Sequence, residues 1–122
     1  MNIVLSFIGI LPIYILYCIF QLRIYTKIPI FLIYNDYQSE YITKLVSMDV
    51  TLIKYETVNG DCKLLKERQR RFVVIRGLKN RKQLFFRSFE RIYLIRNIMK
   101  LHNLENVFHL EIDNLVYDDI SK

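Results

Sequence analysis

Two carboxylates separated by a single residue form the part of this sequence best suited to chemistry. Glu111 and Asp113 flank Ile112, directly after the short apolar run 107–110. Because alternate residues of a strand share a face, we expect both carboxylates to point the same way where the chain leaves a sheet. Such hard oxygen ligands can share Mg²⁺ or Mn²⁺, which takes phosphate oxygens as further ligands. The alternative is a solvated strand end, since acid-x-acid triplets are common.

Other polar residues could contribute, and each also has a structural interpretation. Arg87 and Arg91 are four residues apart and so share one side of a predicted helix. Their guanidinium groups could bind phosphate oxygens, or they could be exposed charges beside Glu90. His109 lies within an apolar run, so we interpret it as a core residue rather than a metal ligand.

The elements that position these residues alternate between strands and helices. Apolar runs rich in β-branched and aromatic residues predict four strands, at 3–8, 30–34, 50–55 and 107–110. Apolar residues at helical spacing predict helices after Pro12, around 38–46 and over 82–102. This order predicts an α/β fold, a Rossmann-like three-layer sandwich with a mainly parallel sheet of about four strands. Ligands of such sheets bind beyond the carboxyl ends of the strands, and acids follow three of these four ends.

The segment 82–102 has the clearest helical pattern. Its apolar residues follow one another by three or four positions: Phe85, Phe89, Ile92, Ile95 and Met99. We interpret this stripe as a packing surface rather than a cofactor contact. Asn103 is a suitable residue to end the helix.

The N-terminal residues allow two interpretations. Residues 3–20 carry no charge and are long enough to be read as a membrane span. A signal peptide fits poorly, because no basic segment precedes this stretch and no small-residue cleavage site follows it. We favour a strand, a turn at Gly9 and a helix that begins at Pro12, since proline is tolerated in a first helical turn. A small membrane-anchored structural protein remains the alternative; we expect a cytoplasmic location, with membrane association as the other possibility.

The overall composition is that of one folded domain. The 122 residues are 52% hydrophobic and include only three glycines and two prolines. The net charge of +6 suits a phosphate-rich partner, and basic residues crowd residues 61–82, where we predict a helix. The basic cluster over 66–82 is interleaved with Phe72 and Phe85-Phe86. A nucleic-acid-binding module is therefore an alternative function. Cys18 and Cys62 lack metal-site spacing and are interpreted as buried or free thiols.

In the order of its pieces, the sequence resembles glycosyltransferases of the GT-A fold, whose nucleotide-binding N-terminal half ends with an acid-x-acid motif after a strand. The resemblance covers nearly the whole chain. It is carried by residues 3–9, LPIY at 11–14, QLRIY at 21–25, PIFLIY at 29–34, RSFERIY at 87–93 and NVFHLEIDNLVY at 106–117. It implies a single nucleotide-sugar-binding domain over residues 1–122, truncated at the C-terminus. Its ligands would be a UDP- or GDP-sugar and Mn²⁺ or Mg²⁺.

The resemblance also implies roles for particular residues. Asp113 would contact the metal. Glu111 stands where the family usually has aspartate and would help to hold the metal or the ribose. Arg91, the better match of the two arginines to the resembled segment, would contact the phosphates or the base.

Further positions follow from the same resemblance. The first strand would end in residues that border the nucleobase and ribose, with Asp36 nearby after the second strand: Phe7, Ile8 and Gly9. The family also needs a second half that binds the acceptor and, in inverting members, a general base. Asp118 and Asp119 are expected in an exposed loop or tail rather than as that base. We therefore expect donor binding, transfer to an unknown acceptor and an incomplete catalytic apparatus.

Overall fold

The described chain is built from alternating strands and helices. The computed structural model describes residues 1–60 and 82–120, with the backbone alone for 82–86. The elements in these ranges are β1 (Asn2–Ile10), α1 (Tyr14–Tyr25), β2 (Ile30–Asp36), α2 (Ser39–Ser47), β3 (Val50–Lys54), α3 (Tyr55–Val58), α4 (Lys82–Leu101) and β4 (Val107–Leu110). The thiol of Cys62 and all but the last residue of the helix expected over 61–82 lie outside the described residues.

The chain divides into two compact units. We call Met1–Tyr55 with Leu104–Lys122 the sheet unit, and Glu56–Asn103 the α4 unit. Within the described part of the sheet unit, four strands form one sheet in the order β3-β2-β1-β4, and every neighbouring pair is parallel. The prediction of an α/β fold with a parallel sheet of about four strands is therefore confirmed.

Residues 3–20 form a strand and a helix, as favoured from the sequence. The turn predicted at Gly9 is wrong, because β1 continues through Gly9 to Ile10. The pairing of β1 with β2 is instead irregular between Phe7 and Ile10, and Gly9 has a φ of 127°. A residue without Cβ adopts this backbone conformation without a steric penalty, so the strand absorbs the irregularity. Across residues 1–60 and 82–120, the structure contains no helix that is both long enough and apolar enough to cross a bilayer.

The core of the sheet unit lies on the face of the sheet that packs against α1 and α2. Side chains at alternate strand positions contribute to it together with both helices and one residue that follows β4: Ile3, Leu5, Leu11, Ile15, Cys18, Ile19, Leu22, Ile30, Leu32, Tyr34, Leu45, Val50 and Ile112. Residues of the opposite sheet face, among them Val4, Ile33 and Ile53, are also buried. Burial on both faces explains why these strands are continuous apolar runs.

Helix α4 matches the predicted segment, but its buried face differs from the predicted stripe. Leu94, Ile98 and the carboxylate residue Glu90 are buried, whereas Phe89 and Ile92 are exposed. The predicted stripe is wrong at these two positions because the buried face follows Glu90, Leu94 and Ile98, which are four residues apart and include a carboxylate. Glu90 can occupy the buried face since it forms an ion pair with Arg87.

Within the α4 unit, the C-terminal half of the helix is fixed by a polar contact. The side-chain amide of Asn97 donates a hydrogen bond to the carbonyl oxygen of Val58, at 2.7 Å. The predicted helix stop is confirmed, since Asn103 follows the helix with a φ of 52°. Asparagine tolerates this left-handed conformation better than most residues.

Candidate functional site

The strand order changes direction beside β1. The chain moves from β1 to β2 and β3 on one side, and β4 then pairs with the other side of β1. In open parallel sheets, the loops that leave the carboxyl ends of two such strands diverge and form a binding crevice. The carboxyl edge between β1 and β4 is therefore the candidate site of the sheet unit.

The end of β1 is shaped by hydrogen bonds to the neighbouring strand β2. The backbone N–H of Gly9 donates to Oδ1 of Asn35 at 2.7 Å, and the N–H of Leu11 donates to the carbonyl oxygen of Asp36 at 3.1 Å. A Cβ at Gly9 would lie 3.4 Å from Cε1 of Phe7 and would strain the positive φ. Phe7, Ile8 and Gly9 are half-buried. They thus form a fixed, partly accessible backbone segment.

Asn35 is a site residue that the sequence reasoning missed. The available signal was its place directly after the apolar part of β2, where a short amide side chain can bind a nearby backbone group. The next residue, Asp36, is exposed, and its Oδ1 accepts the N–H of Tyr37 at 2.8 Å. Asp36 therefore helps to form the local turn while its carboxylate stays open to solvent.

The two acids after β4 lie in a turn. β4 ends at Leu110, and the N–H of Asn114 donates to the carbonyl oxygen of Glu111 at 3.2 Å. The alternation of strand faces, from which parallel carboxylates were predicted, consequently does not apply to them. Glu111 and Asp113 are nevertheless both exposed, while Ile112 between them is only 4% exposed and belongs to the core. A buried anchor thus holds two exposed acids in a turn at the carboxyl end of β4.

Asp113 lies near α1. Burial, and secondarily the negative charge of Asp113, raise the pKa of the Cys18 thiol to about 11. The Cys18 thiol is therefore protonated at neutral pH and is a poor metal ligand, since cysteine binds metals as the thiolate. Cys18 is free and buried, as predicted.

His109 and Asp119 lie away from the candidate edge. His109 pairs with Val4 in the register of β1 and β4, so it lies on the sheet face opposite to the α1 core, and it is half-buried. This agrees with its interpretation as a structural residue. Asp119 lies beside Arg23 and Lys27, where α1 ends and the chain approaches the amino end of β2. That position is consistent with the expectation that Asp119 is not a base of this site.

Glu111 and Asp113 fit a metal site that is completed by phosphate oxygens and water better than a site made of protein side chains alone. Within residues 1–60 and 82–120 there is no group of three or more His, Cys, Asp or Glu side chains that could hold a metal ion. A metal cage made by these side chains alone does not fit. Mg²⁺ and Mn²⁺ commonly use one or two carboxylates together with phosphate oxygens and water, and Glu111 with Asp113 could supply that share.

Six of the predicted site residues belong to the sheet unit. They surround its carboxyl edge: Phe7, Ile8, Gly9, Asp36, Glu111 and Asp113. Arg91 belongs to α4 in the other unit, where it is half-buried. The structure therefore places the six at the carboxyl ends of β1, β2 and β4, and their proposed ligand contacts, like that of Arg91, stay predictions.

Function at this edge has to be inferred from the chain itself. Comparisons with protein-family models, with curated proteins and with solved structures gave no match. The strand order, the irregular end of β1 and the exposed acids after β4 are thus the observations from which a function can be proposed.

Proposed function

We propose that the carboxyl edge between β1 and β4 binds the diphosphate of a nucleotide sugar together with Mn²⁺ or Mg²⁺, as in glycosyltransferases of the GT-A fold. The observation that carries this proposal is the strand order β3-β2-β1-β4, which brings the end of β1 beside the turn after β4. Such a crevice suits a dinucleotide or nucleotide ligand. A UDP- or GDP-sugar is the proposed ligand.

The proposal gives the two acids and β1 separate tasks. The carboxylates of Asp113 and Glu111 hold the cation, and their exposure leaves room for phosphate oxygens to complete its coordination. The base and ribose lie against Phe7–Gly9, where the missing side chain of Gly9 lets a ligand approach the backbone. Asp36, the last residue of β2 at the same carboxyl edge, is the proposed acceptor of a hydrogen bond from a ribose hydroxyl.

The proposed role of this chain is donor binding. When bound, a divalent cation neutralises the negative charge that grows on a departing nucleoside diphosphate. The residues of the sheet unit bind and orient the donor so that its sugar carbon is presented beyond the sheet edge. Transfer to an acceptor is the reaction that such binding would serve.

Calorimetry with UDP and GDP, each with and without Mn²⁺, tests this proposal. We expect binding that requires Mn²⁺ and that weakens at least about tenfold, or about 1.4 kcal/mol, in Asp113→Asn. Glu111→Gln should weaken binding less, because the longer and more mobile Glu111 side chain is more easily replaced by water as a ligand of the metal. Glu105→Gln is the matched control, since Glu105 is exposed and lies before β4, at the opposite edge. Absent binding, metal-independent binding or equal losses in all three variants would contradict the proposal.

The distribution of charge supports a second candidate, a polyanion-binding module. Residues 61–81 contain eight basic and two acidic residues, so this segment alone accounts for the net charge of +6, and the rest of the chain is balanced. Phosphate-backbone binding would show a steep dependence on salt. Fluorescence anisotropy with a single-stranded RNA at several salt concentrations measures it. Binding that is salt-sensitive and unchanged by Mn²⁺ or Asp113→Asn would favour this candidate over donor binding.

A further inference from the structure

Helix α1 is apolar on two opposite faces. One face contributes Ile15, Cys18, Ile19 and Leu22 to the core. The other carries four large side chains that are more than half exposed: the N-cap residue Ile13 (53%) and, within α1, Tyr17 (63%), Phe20 (61%) and Ile24 (57%). We call these four residues the outer face of α1. A helix on the surface of a globular protein usually has a polar outer face, so an apolar one indicates a second packing partner.

The spacing of the outer face indicates what kind of partner fits. Its four residues are separated by four, three and four positions, which is the a/d spacing of a heptad repeat. Side chains at this spacing form one seam along a helix and interdigitate with the seam of a second helix. The expected occupant is therefore a helix with apolar residues at the same interval.

We propose that the outer face of α1 is the interface between two copies of this chain, with α1 packed against α1 of the second copy about a twofold axis. A twofold interface is formed by the same patch on both subunits, and the outer face supplies the required heptad seam to each partner. The two helices would pack side by side through these four residues. This inference is independent of the proposed donor binding.

The exposed area makes up a large part of what a dimer interface needs. Tyr14 (43%) is a further exposed aromatic side chain of α1. Large aromatic side chains carry roughly 150–250 Å² each, so these five partly exposed side chains present on the order of 500 Å². A standard interface buries roughly 800 Å² per partner, and the patch provides most of that area before any polar rim is added.

A groove beside the outer face can receive a side chain from the second copy. It has a volume of about 500 Å³ and lies between α1 and α2, where Leu16, Lys44, Ser47 and Met48 border Tyr17 and Phe20. Knobs-into-holes packing requires depressions of this kind next to each seam residue.

The charges around α1 favour a protein partner over an anionic membrane. A helix that lies on such a membrane is rich in Lys and Arg beside its apolar face. Within α1 the basic residue is Arg23, whose guanidinium is bound to three backbone carbonyls, and in the groove beside the outer face it is Lys44. Two basic residues, one of them already bound to the backbone, do not make such a rich basic border. A second copy of the chain therefore fits this face better than a lipid surface does.

Sedimentation velocity over roughly 1 to 100 µM protein measures the association. The buffer should contain about 0.5 M salt, which screens association through charged segments. We expect a monomer–dimer equilibrium that weakens at least tenfold in Phe20→Lys. Tyr117→Lys is the control, because Tyr117 is 69% exposed but lies outside α1. A wild-type chain that is monomeric throughout, or a dimer weakened equally by both variants, overturns the proposal.

A mixing experiment separates an effect on the interface from an effect on folding. Phe20→Lys and Phe20→Glu should each be monomeric alone and should associate when mixed, because opposite charges then meet near the twofold axis. A misfolded variant would not recover in this way, and far-ultraviolet circular dichroism checks each one. Failure of the mixture to associate while both variants are folded overturns the α1 seam.

Flotation with anionic vesicles tests the alternative occupant, a membrane. If the wild type forms no dimers but binds the vesicles, and Phe20→Lys loses this binding, the outer face of α1 is assigned to a membrane instead.

Discussion

The two ends of the parallel sheet differ in how their polar groups are satisfied. At the amino end, the guanidinium of Arg23 donates hydrogen bonds to the carbonyl oxygens of Met48 (2.9 Å), Ile28 (2.7 Å) and Asp49 (2.7 Å). At the carboxyl end, the carboxylates of Glu111 and Asp113 are exposed to solvent. One end is thus held together by the side chain of a half-buried cation, and the other presents anionic groups outward.

This difference separates residues that stabilise the fold from residues that can bind a ligand. Burial lowers the pKa of Arg23, and the negative charge of Asp49 opposes that shift. The three hydrogen bonds of Arg23 stabilise the loops before β2 and β3. Exposed acids contribute little to stability. We therefore expect substitutions at the amino end to change the free energy of unfolding, and those at the carboxyl end to change ligand binding.

The largest effect on stability is expected for Arg23→Met. It removes three hydrogen bonds from a charged donor and leaves carbonyl oxygens in a partly buried position, which should cost about 3 kcal/mol. Urea unfolding measures this change. Arg23→Lys should recover only part of it, since an ammonium group cannot reach all three carbonyls as a planar guanidinium does. An unchanged stability in Arg23→Met would show that the two ends do not differ as described.

A smaller loss, about 2 kcal/mol, is expected for Ile112→Ala. Ile112 is 4% exposed at the border of the core, and removing three carbon atoms from such a site costs the transfer free energy and leaves a cavity. Because Ile112 also anchors the turn that carries both acids, this variant should weaken Mn²⁺-dependent nucleotide binding as well. Loss of stability without any change in binding would show that the position of the acids does not depend on this anchor.

The fold could be predicted largely because its elements have strong local patterns. The run 107–110 was assigned as a strand with the observed bounds, and the long helix was placed within one residue at its C-terminal end. The irregularity at Gly9 was not predicted, since it depends on pairing with β2. The buried face of α4 was not predicted either, since it contains a carboxylate, Glu90, that is paired with Arg87. A pattern of apolar residues cannot reveal either tertiary effect.

The candidate site was predicted less completely than the fold. The acids were recognised by their types, but their geometry was derived from strand alternation, and the strand ends before Glu111. Asn35 was missed because its role is to bind the backbone of Gly9, which is 26 residues away in the sequence. Contacts of this kind become visible only once the register of β1 and β2 is known.

A third, smaller effect concerns the pH dependence of stability through Cys18. Its pKa rises from 9.0 to about 11 in the folded chain. The unfolded chain therefore loses the thiol proton at a lower pH, so the stabilisation present below pH 9 is lost as the pH rises towards 11. We expect a loss on the order of 1–2 kcal/mol between pH 8 and pH 10.5. Urea unfolding at both values, compared with Cys18→Ala, isolates this contribution, and equal pH dependence in both proteins would contradict it.

The smallest effect on stability is expected for Asp113→Asn, within about 0.5 kcal/mol of the wild type. Asp113 is exposed, and its charge is the lesser cause of the raised pKa of Cys18. The variant should therefore leave urea unfolding at neutral pH almost unchanged and lower the pKa of Cys18 slightly. If the same variant also abolishes Mn²⁺-dependent binding, stability and binding are separable at this end of the sheet. A loss of several kcal/mol would instead make Asp113 a structural residue like Arg23, and the contrast between the two ends would disappear.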